Sequence, residues 1–284
     1  MIEKKMKESL IGELNVSFPQ IFSSNPKDYL IEQLKSKRNE VYEIRFKNPK
    51  KNIPQKVILK RFIANTFDKE ISTLKKLKAQ NLSVPSILSY KKPYLILQKI
   101  EGKNLCDFIN LKLTSTNRLS KIPPKPRDQL VSSIKLLAEW FAIFHKKNIW
   151  DSGNSKERIV LNKGDVRLRD FLIKPANDKV YGVDFENVYR GNYLEDLSGI
   201  CCSLLDTNPG IFEISEPYHK IDLIILFLKE YHRINIDFIS FFDFETFSDL
   251  LLKQIDKVSK RRNLKKMDSN WEEIITKIQN SVDF

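Results

Sequence analysis

The sequence predicts an α+β protein in two parts: a small lobe of strands and helix over residues 1–97, then a larger, mainly helical lobe over 98–284. Three observations predict it. Short runs rich in β-branched and aromatic residues, "VYEIRF" (41–46), "VILKRF" (57–62) and "YLILQKI" (94–100), fall in the first hundred residues. Beyond the Pro-rich "KIPPKPRD", apolar residues recur mostly at helical spacing over long segments. A chain of 284 residues also exceeds the usual size of a single core.

Taken in order, "NPKDYLIEQLK" sets Tyr29, Leu30 and Leu34 at helical spacing and predicts a helix. "VYEIRF" and "VILKRF" follow as strands joined by turn-rich "KNPKKNIPQ". "NTFDKEISTLKKLKAQ" puts Ile71, Leu74 and Leu77 on one helical face, and "YLILQKI" reads as a strand. In "QLVSSIKLLAEWFAIFHKK" the residues Leu130, Ile134, Leu137, Phe141 and Phe144 form the stripe of an amphipathic helix. "ERIVL" and "KVYGVDF" are short strands flanking the polar stretch "NKGDVRLRDFLI" (162–173). "KIDLIILFLKEYHR", "ETFSDLLLKQIDKVSK" and "SNWEEIITKIQNSV" are helices; no internal repeat or low-complexity tract interrupts them.

Composition narrows the classes of function. A hydrophobic content of 41%, with 18 Phe, suffices for a buried core, and no apolar run approaches the roughly 20 residues that span a bilayer. The start, "MIEKKMKESL", has charges where a signal peptide needs an apolar stretch, so a cytoplasmic protein is expected. Cys106, Cys201 and Cys202 lack the spacing and the histidine partners of a zinc site and read as buried thiols. The net charge of +13 raises a nucleic-acid or anionic-surface partner, but the basic residues are dispersed and their two clusters carry no interleaved aromatics for stacking. They read as a solvated surface.

Several chemistries lack their residues. No G-x-G-x-x-G, Walker A loop or G-x-S-x-G elbow occurs, and His145, His219 and His232 form no metal-ligand pair. What remains is a set of charged residues at strand ends and in loops: Lys60, Glu70, Asp165, Asp170 and Asp184. Each has an ordinary reading by itself: a solvated lysine, a surface glutamate able to pair with Lys75, turn aspartates. Asp184 stands out, because an aspartate ending an apolar strand needs a partner. Phosphoryl transfer from ATP uses such a set: a lysine on the phosphates, a glutamate fixing it, one carboxylate orienting the attacking hydroxyl, and oxygen ligands for magnesium.

Order and spacing then resemble the protein-kinase-like superfamily, and most of all its aminoglycoside phosphotransferase/choline kinase branch, from about residue 36 to about residue 235. "NKGDVRLRDFLI" is similar to that branch's H-G-D-x-x-x-x-N catalytic loop. "VYGVDFENVYRGNYLEDLSGI" resembles its I-D-[FW]-[EG] metal motif with the helix start that follows. "VILKRF", "DKEISTLKKL", "YLILQKIEGKNLCDFI" and "LAEWFAIFH" resemble, in order, its lysine strand, partner helix, hinge and the helix before the catalytic loop.

The resemblance implies a bilobal protein-kinase-like fold with a small antiparallel-sheet N-lobe, and it implies roles. Lys60 would contact the α/β-phosphates of ATP, with Glu70 as its partner. The backbone of Gln98, Lys99 and Ile100 would meet the adenine edge. Asn39 and Tyr42 would belong to the phosphate-covering loop. Asp165 would be the catalytic aspartate, and Asp170, Asp184 and Glu186 would hold Mg2+, with Mn2+ the alternative. Asp196 would brace the loop and cap its own helix, and His145 would be structural.

Three positions depart from the family pattern. Lys163 stands where histidine is expected, Asp170 replaces asparagine, and the phosphate loop has no glycine, which leaves Lys37 or Arg38 to reach phosphate. The expected function is ATP-dependent phosphorylation of a small-molecule hydroxyl. Only residues 185–195 separate Asp184 from Asp196, too few for a typical protein-kinase activation segment. An atypical Ser/Thr protein kinase, a catalytically inactive binding module and, more weakly, an RNA- or phospholipid-associated kinase are the alternatives. The acceptor pocket would be lined by helices after residue 200.

Overall fold

The computed structural model describes residues 2–36, 38–113, 117–150, 157–174, 179–208, 210–214, 216–264 and 271–282, with side chains from residue 7 onward. Lys37 lies outside the described residues. The chain divides into two compact units, residues 1–79 with 84–101, and residues 80–83 with 102–284.

The first unit comprises α1 (Ile2–Ser17), a 3-10 turn (Pro26–Asp28), β1 (Tyr29–Leu34), β2 (Glu40–Phe46), β3 (Lys56–Arg61), α2 (Phe67–Ala79), β4 (Ile87–Lys91) and β5 (Tyr94–Gln98). The strands form one antiparallel sheet in the order β1-β2-β3-β5-β4. Residues 29–34, expected as a helix, are therefore an edge strand. They pair with β2 from Tyr29 opposite Phe46 to Leu34 opposite Val41, and Tyr29 is buried while Leu30 is 57% exposed. Helical spacing of three apolar residues was outweighed by a row of backbone partners offered by β2, after a turn whose cap, Asn25, accepts from Lys27 N–H.

An apolar cluster lies on one face of this sheet. Leu10, Ile11, Leu14 and Phe18, at or just after α1, pack with Tyr42, Ile44, Val57, Leu59 and Ile96. Glu13 on α1 accepts a hydrogen bond from the Tyr94 hydroxyl, and the Lys50 ammonium donates to Pro19 O at 2.7 Å. Because side chains alternate along a strand, placing Val57 and Leu59 toward α1 turns Lys60 to the opposite face.

The second unit comprises β6 (Lys103–Asn104), α3 (Leu105–Asn110), α4 (Pro124–Lys146), β7 (Ile149–Trp150), β8 (Ile159–Asn162), β9 (Phe171–Lys174), β10 (Lys179–Gly182), β11 (Tyr189–Asn192), α5 (Leu194–Asp206), α6 (Tyr218–Ile234), α7 (Phe244–Arg262) and α8 (Trp271–Ser281). Two small sheets run in the orders β10-β9-β6 and β11-β8-β7. The α4 stripe is buried as its spacing predicts, with Leu130, Ile134, Leu137, Phe141 and Phe144 all inaccessible to solvent. Trp140 stacks on Phe144 and meets Phe171 edge-on, and its indole N–H donates to Ser83 O at 3.0 Å. The three cysteines are free and buried. Among the described residues no helix is long and apolar enough to cross a membrane.

Two histidines of this unit's core make stability depend on pH. Burial lowers both His219 and His232 to about 4. His232 Nδ1 lies 2.9 Å from Leu228 O, which fixes its proton there. In the unfolded chain both titrate near the ordinary value of about 6.5, so between there and about 4 the unfolded state holds the extra protons. Stability is full above about pH 6.5 and falls as the pH drops, each histidine withdrawing on the order of 1 kcal/mol per pH unit. Urea unfolding across that range will show the slope, and His232→Gln will reduce it by about half. In the first unit, Phe18→Ala is expected to remove about 3–5 kcal/mol. Substituting 78%-exposed Val16 by Lys will change the same midpoint little.

Candidate functional site

Two loops of the second unit are clamped face to face by strand pairing. In β8 and β11, Asn162 stands opposite Tyr189; in β9 and β10, Phe171 stands opposite Gly182. The intervening residues 163–170 and 183–188 are thereby brought side by side, and Val183 N–H donates to Asp170 O at 2.9 Å. The polar stretch Asp165–Asp170 and the segment Asp184–Glu186 thus belong to one site. Backbone conformation there is unusual: Gly164, Asp165 and Asp184 have φ of 68°, 41° and 63°. Left-handed geometry suits Gly and is tolerated by Asp. A Cβ at Gly164 would also stand 2.5 Å from Asn187 O.

What holds the first loop is Asp196, in the first turn of α5. Its carboxylate accepts Lys163 N–H at 2.6 Å and Gly164 N–H at 3.1 Å, and His145 Nε2 lies 3.2 Å away. His145 Nδ1 pairs with the Tyr231 hydroxyl at 2.9 Å. Asp196 does not cap its own helix: α5 starts at Leu194 after Tyr193, without a side-chain cap. The carboxylate caps the loop instead, because those two amides point into the interior and have no strand partner. His145 is structural, as expected, and tied to the loop through Asp196.

The charges at this site are organised in pairs. Arg167 Nη2 donates to both oxygens of Asp165, at 2.8 and 2.6 Å. Burial opposes the Arg167 charge, yet Asp165, Asp170 and Asp184 together hold its pKa above the ordinary value. Asp170 is pushed up, first by burial; Lys163 and Arg167 lower it, and Asp184 and Asp165 raise it. Lys163 is 1% exposed, and its ammonium donates to Asp184 O at 3.0 Å and lies 3.7 Å from Asp170 Oδ2. Carboxylate oxygens of Asp184 and Glu186 approach within 4.8 Å. Asp184 and Glu186 are hard oxygen donors of the kind that magnesium or manganese takes, and Asp170, on the facing loop, does not come within that same distance of both.

In the first unit, Lys60 and Glu70 form a buried ion pair, Nζ to Oε2 at 2.6 Å. Lys60 is turned there by strand alternation, and Glu70 lies in the first turn of α2. Glu70 therefore selects Lys60 across the fold rather than Lys75 along its helix. Asn39 is buried, and its side-chain oxygen accepts Ile63 N–H at 2.9 Å and Ala64 N–H at 3.4 Å, bracing the turn after β3. Arg38 is exposed beside it. Gln98 N–H donates to Ser86 O at 2.9 Å, Lys99 pairs with Glu43 at 2.8 Å, and Ile100 is buried. Arg167 was missed by sequence reading, although an arginine two residues after Asp165 was a visible signal.

The sequence matches no protein-family profile and no curated protein. Solved structures do match. An amicoumacin kinase in complex with AMP-PNP, Ca2+ and Ami superposes with a TM-score of 0.55 at 13% identity, covering 99% of this chain and 96% of that one. Choline kinase from Cryptosporidium parvum gives 0.53 at 13% identity over 97% and 94%. A choline/ethanolamine kinase family protein from Mesorhizobium loti gives 0.53 at 10% identity over 100% and 96%. At such identity it is the fold that is shared: the protein-kinase-like α+β fold that the motif order implies.

Removing the loop's brace has a measurable consequence. Asp196→Ala leaves two buried amides and a histidine without their acceptor, and is expected to lower the unfolding free energy by about 3–5 kcal/mol. Lys260→Ala, which removes an exposed helix pair with Asp256, will change it by less than about 0.5 kcal/mol. Urea denaturation of both variants checks this.

Proposed function

We propose that the protein is an ATP- and magnesium-dependent phosphotransferase acting on a hydroxyl group of a small molecule. The observation that carries this reading is the clamping of residues 163–170 against 183–188, which sets Asp165, Asp170, Asp184 and Glu186 on adjacent loops. The buried Lys60–Glu70 pair and the kinase-like fold support it.

In this reading the first unit binds nucleotide. Lys60, oriented by Glu70, neutralises the α- and β-phosphates, and Arg38 supplies side-chain charge near the phosphates. Asn39 acts through the turn it braces. Gln98 N–H is committed to Ser86 O, so the adenine edge falls to the backbone of Lys99 and Ile100. The second unit carries the chemistry. Asp170, Asp184 and Glu186 hold the metal, whose charge stabilises the transferring phosphoryl group. Asp165 accepts the proton of the acceptor hydroxyl as the oxygen attacks the γ-phosphorus and the bond to the ADP oxygen breaks. Arg167 keeps the Asp165 carboxylate aligned until the acceptor arrives. The acceptor is a small alcohol, by the short passage from Asp184 to Asp196 and by the choline, ethanolamine and amicoumacin kinases that share the fold.

Calorimetry with Mg2+ and AMP-PNP, followed by ATP turnover against choline, ethanolamine, aminoglycosides, sugars and polyols, tests the reading. Asp165→Asn should retain nucleotide binding and lower kcat by about 10²–10⁴-fold. Asp184→Ala should weaken binding of the magnesium nucleotide. Absence of AMP-PNP binding, with no effect of Asp184→Ala, would overturn the reading. Binding without turnover of any acceptor would favour a non-catalytic binding module.

A further inference from the structure

The second unit buries an ammonium at the centre of its acidic loops, and the chemistry just proposed does not use it. Lys163 is 1% exposed, an unusual place for a lysine unless it is paired. Its Nζ donates to the main-chain oxygen of Asp184 at 3.0 Å and faces Asp170 Oδ2 at 3.7 Å. The rings of Phe171 and Phe185 close over it, with centroids 5.6 and 5.4 Å from Nζ. Its backbone is fixed by Asp196. The ammonium therefore has a defined seat, a dry apolar wall on two sides, and on the others two oxygens that belong to proposed metal-holding residues.

Two features that look separate in the sequence become one in the structure. The lysine at 163 and the carboxylate at 170 each depart from the pattern the chain resembles, and the fold sets them against each other. A cation gained and an anion gained leave the net charge of the loops unchanged. Each side chain alone is unfavourable: a buried lysine without an anion, or a third carboxylate beside Asp184 and Glu186 without a cation.

We propose that Lys163 is a positioning residue, its buried ammonium acting as the fixed counter-charge of Asp170 and as the anchor of the Asp184 main chain. Residues 163 and 170 then form a single unit that sets the geometry and charge of the metal shell. The role in the shell rests on the phosphotransferase reading, whereas the pairing is a property of the protein without metal or nucleotide.

A double-mutant cycle tests the two parts separately. Lys163→Gln keeps a donor for Asp184 O and removes the charge; Asp170→Asn removes the opposing charge at constant shape. In the chain free of metal and nucleotide, each single variant should lower the thermal midpoint by roughly 5–10 °C. The double variant should lose clearly less than the sum of the two losses. Additive losses would overturn the pairing. If either single variant does not fold, folding of the double variant supports the pairing and its failure overturns it. Calorimetry with Mg2+ and AMP-PNP reads the second part. Lys163→Met, which keeps length and apolar packing but neither charge nor donor, should weaken binding about 10-fold or more. The double Gln/Asn variant should bind more tightly than Lys163→Gln alone. Unchanged affinity in Lys163→Met would overturn the positioning role. A wild-type protein that binds no magnesium nucleotide would overturn that role and the phosphotransferase reading together, leaving the apo cycle to decide the pairing.

Discussion

The carboxylate of Asp196 is the fixed point of the second unit. It accepts two consecutive backbone N–H groups, from Lys163 and Gly164, and lies against the His145 imidazole. Buried amides that no strand or helix can satisfy need such an acceptor. By supplying it from α5, the fold fixes the entry of one loop to a helix and, through His145 and Tyr231, to α4 and α6. The left-handed turn at Gly164 and Asp165 follows directly from that anchorage. Beyond it the Asp165 carboxylate is open to solvent, while the Lys163 side chain is buried.

Electrostatics then complete what the brace begins. Four acidic side chains lie on two facing loops, and unopposed they would repel. Arg167 covers Asp165 from the solvent side, and Lys163 covers Asp170 and the Asp184 main chain from the interior. The arrangement holds the carboxylates in place without a bound ion. It also explains why burial raises Asp170 while two cations draw it back. The buried Lys60–Glu70 pair follows the same logic in the first unit: neither charge is stable there alone, and each fixes the other.

Much of this was legible in the sequence where the signal was periodic or local. The α4 stripe and the α2 face appear where spacing puts them, and the strands expected at 41–46, 57–62 and 94–100 form over 40–46, 56–61 and 94–98. The segment 29–34 was misread because six residues offer too few repeats to separate a helix from a strand, and β2 pairs with all six of them along one edge. The docking of α1 was not foreseen, since its lysine-rich opening hides the stripe of Leu10, Ile11, Leu14 and Phe18. Asn39, read as a phosphate-loop residue, has its side-chain oxygen on the backbone of Ile63 and Ala64, a contact that no local pattern announces.

By itself the sequence determined the kinds of residue available, the alternation that turns Lys60 away from Val57 and Leu59, and the motif order from which a kinase-like fold could be inferred. Only the tertiary structure decided the pairings. Glu70, which the sequence left open to pair with Lys75, took Lys60; Asp196 could have capped α5 and capped a loop instead; Lys163 and Asp170 stood as two unrelated departures and form one ion pair. The reason is physical. Spacing along a chain fixes which face a side chain leaves from, but the partner of a buried charge is chosen by desolvation, and desolvation exists only once distant segments have closed around it.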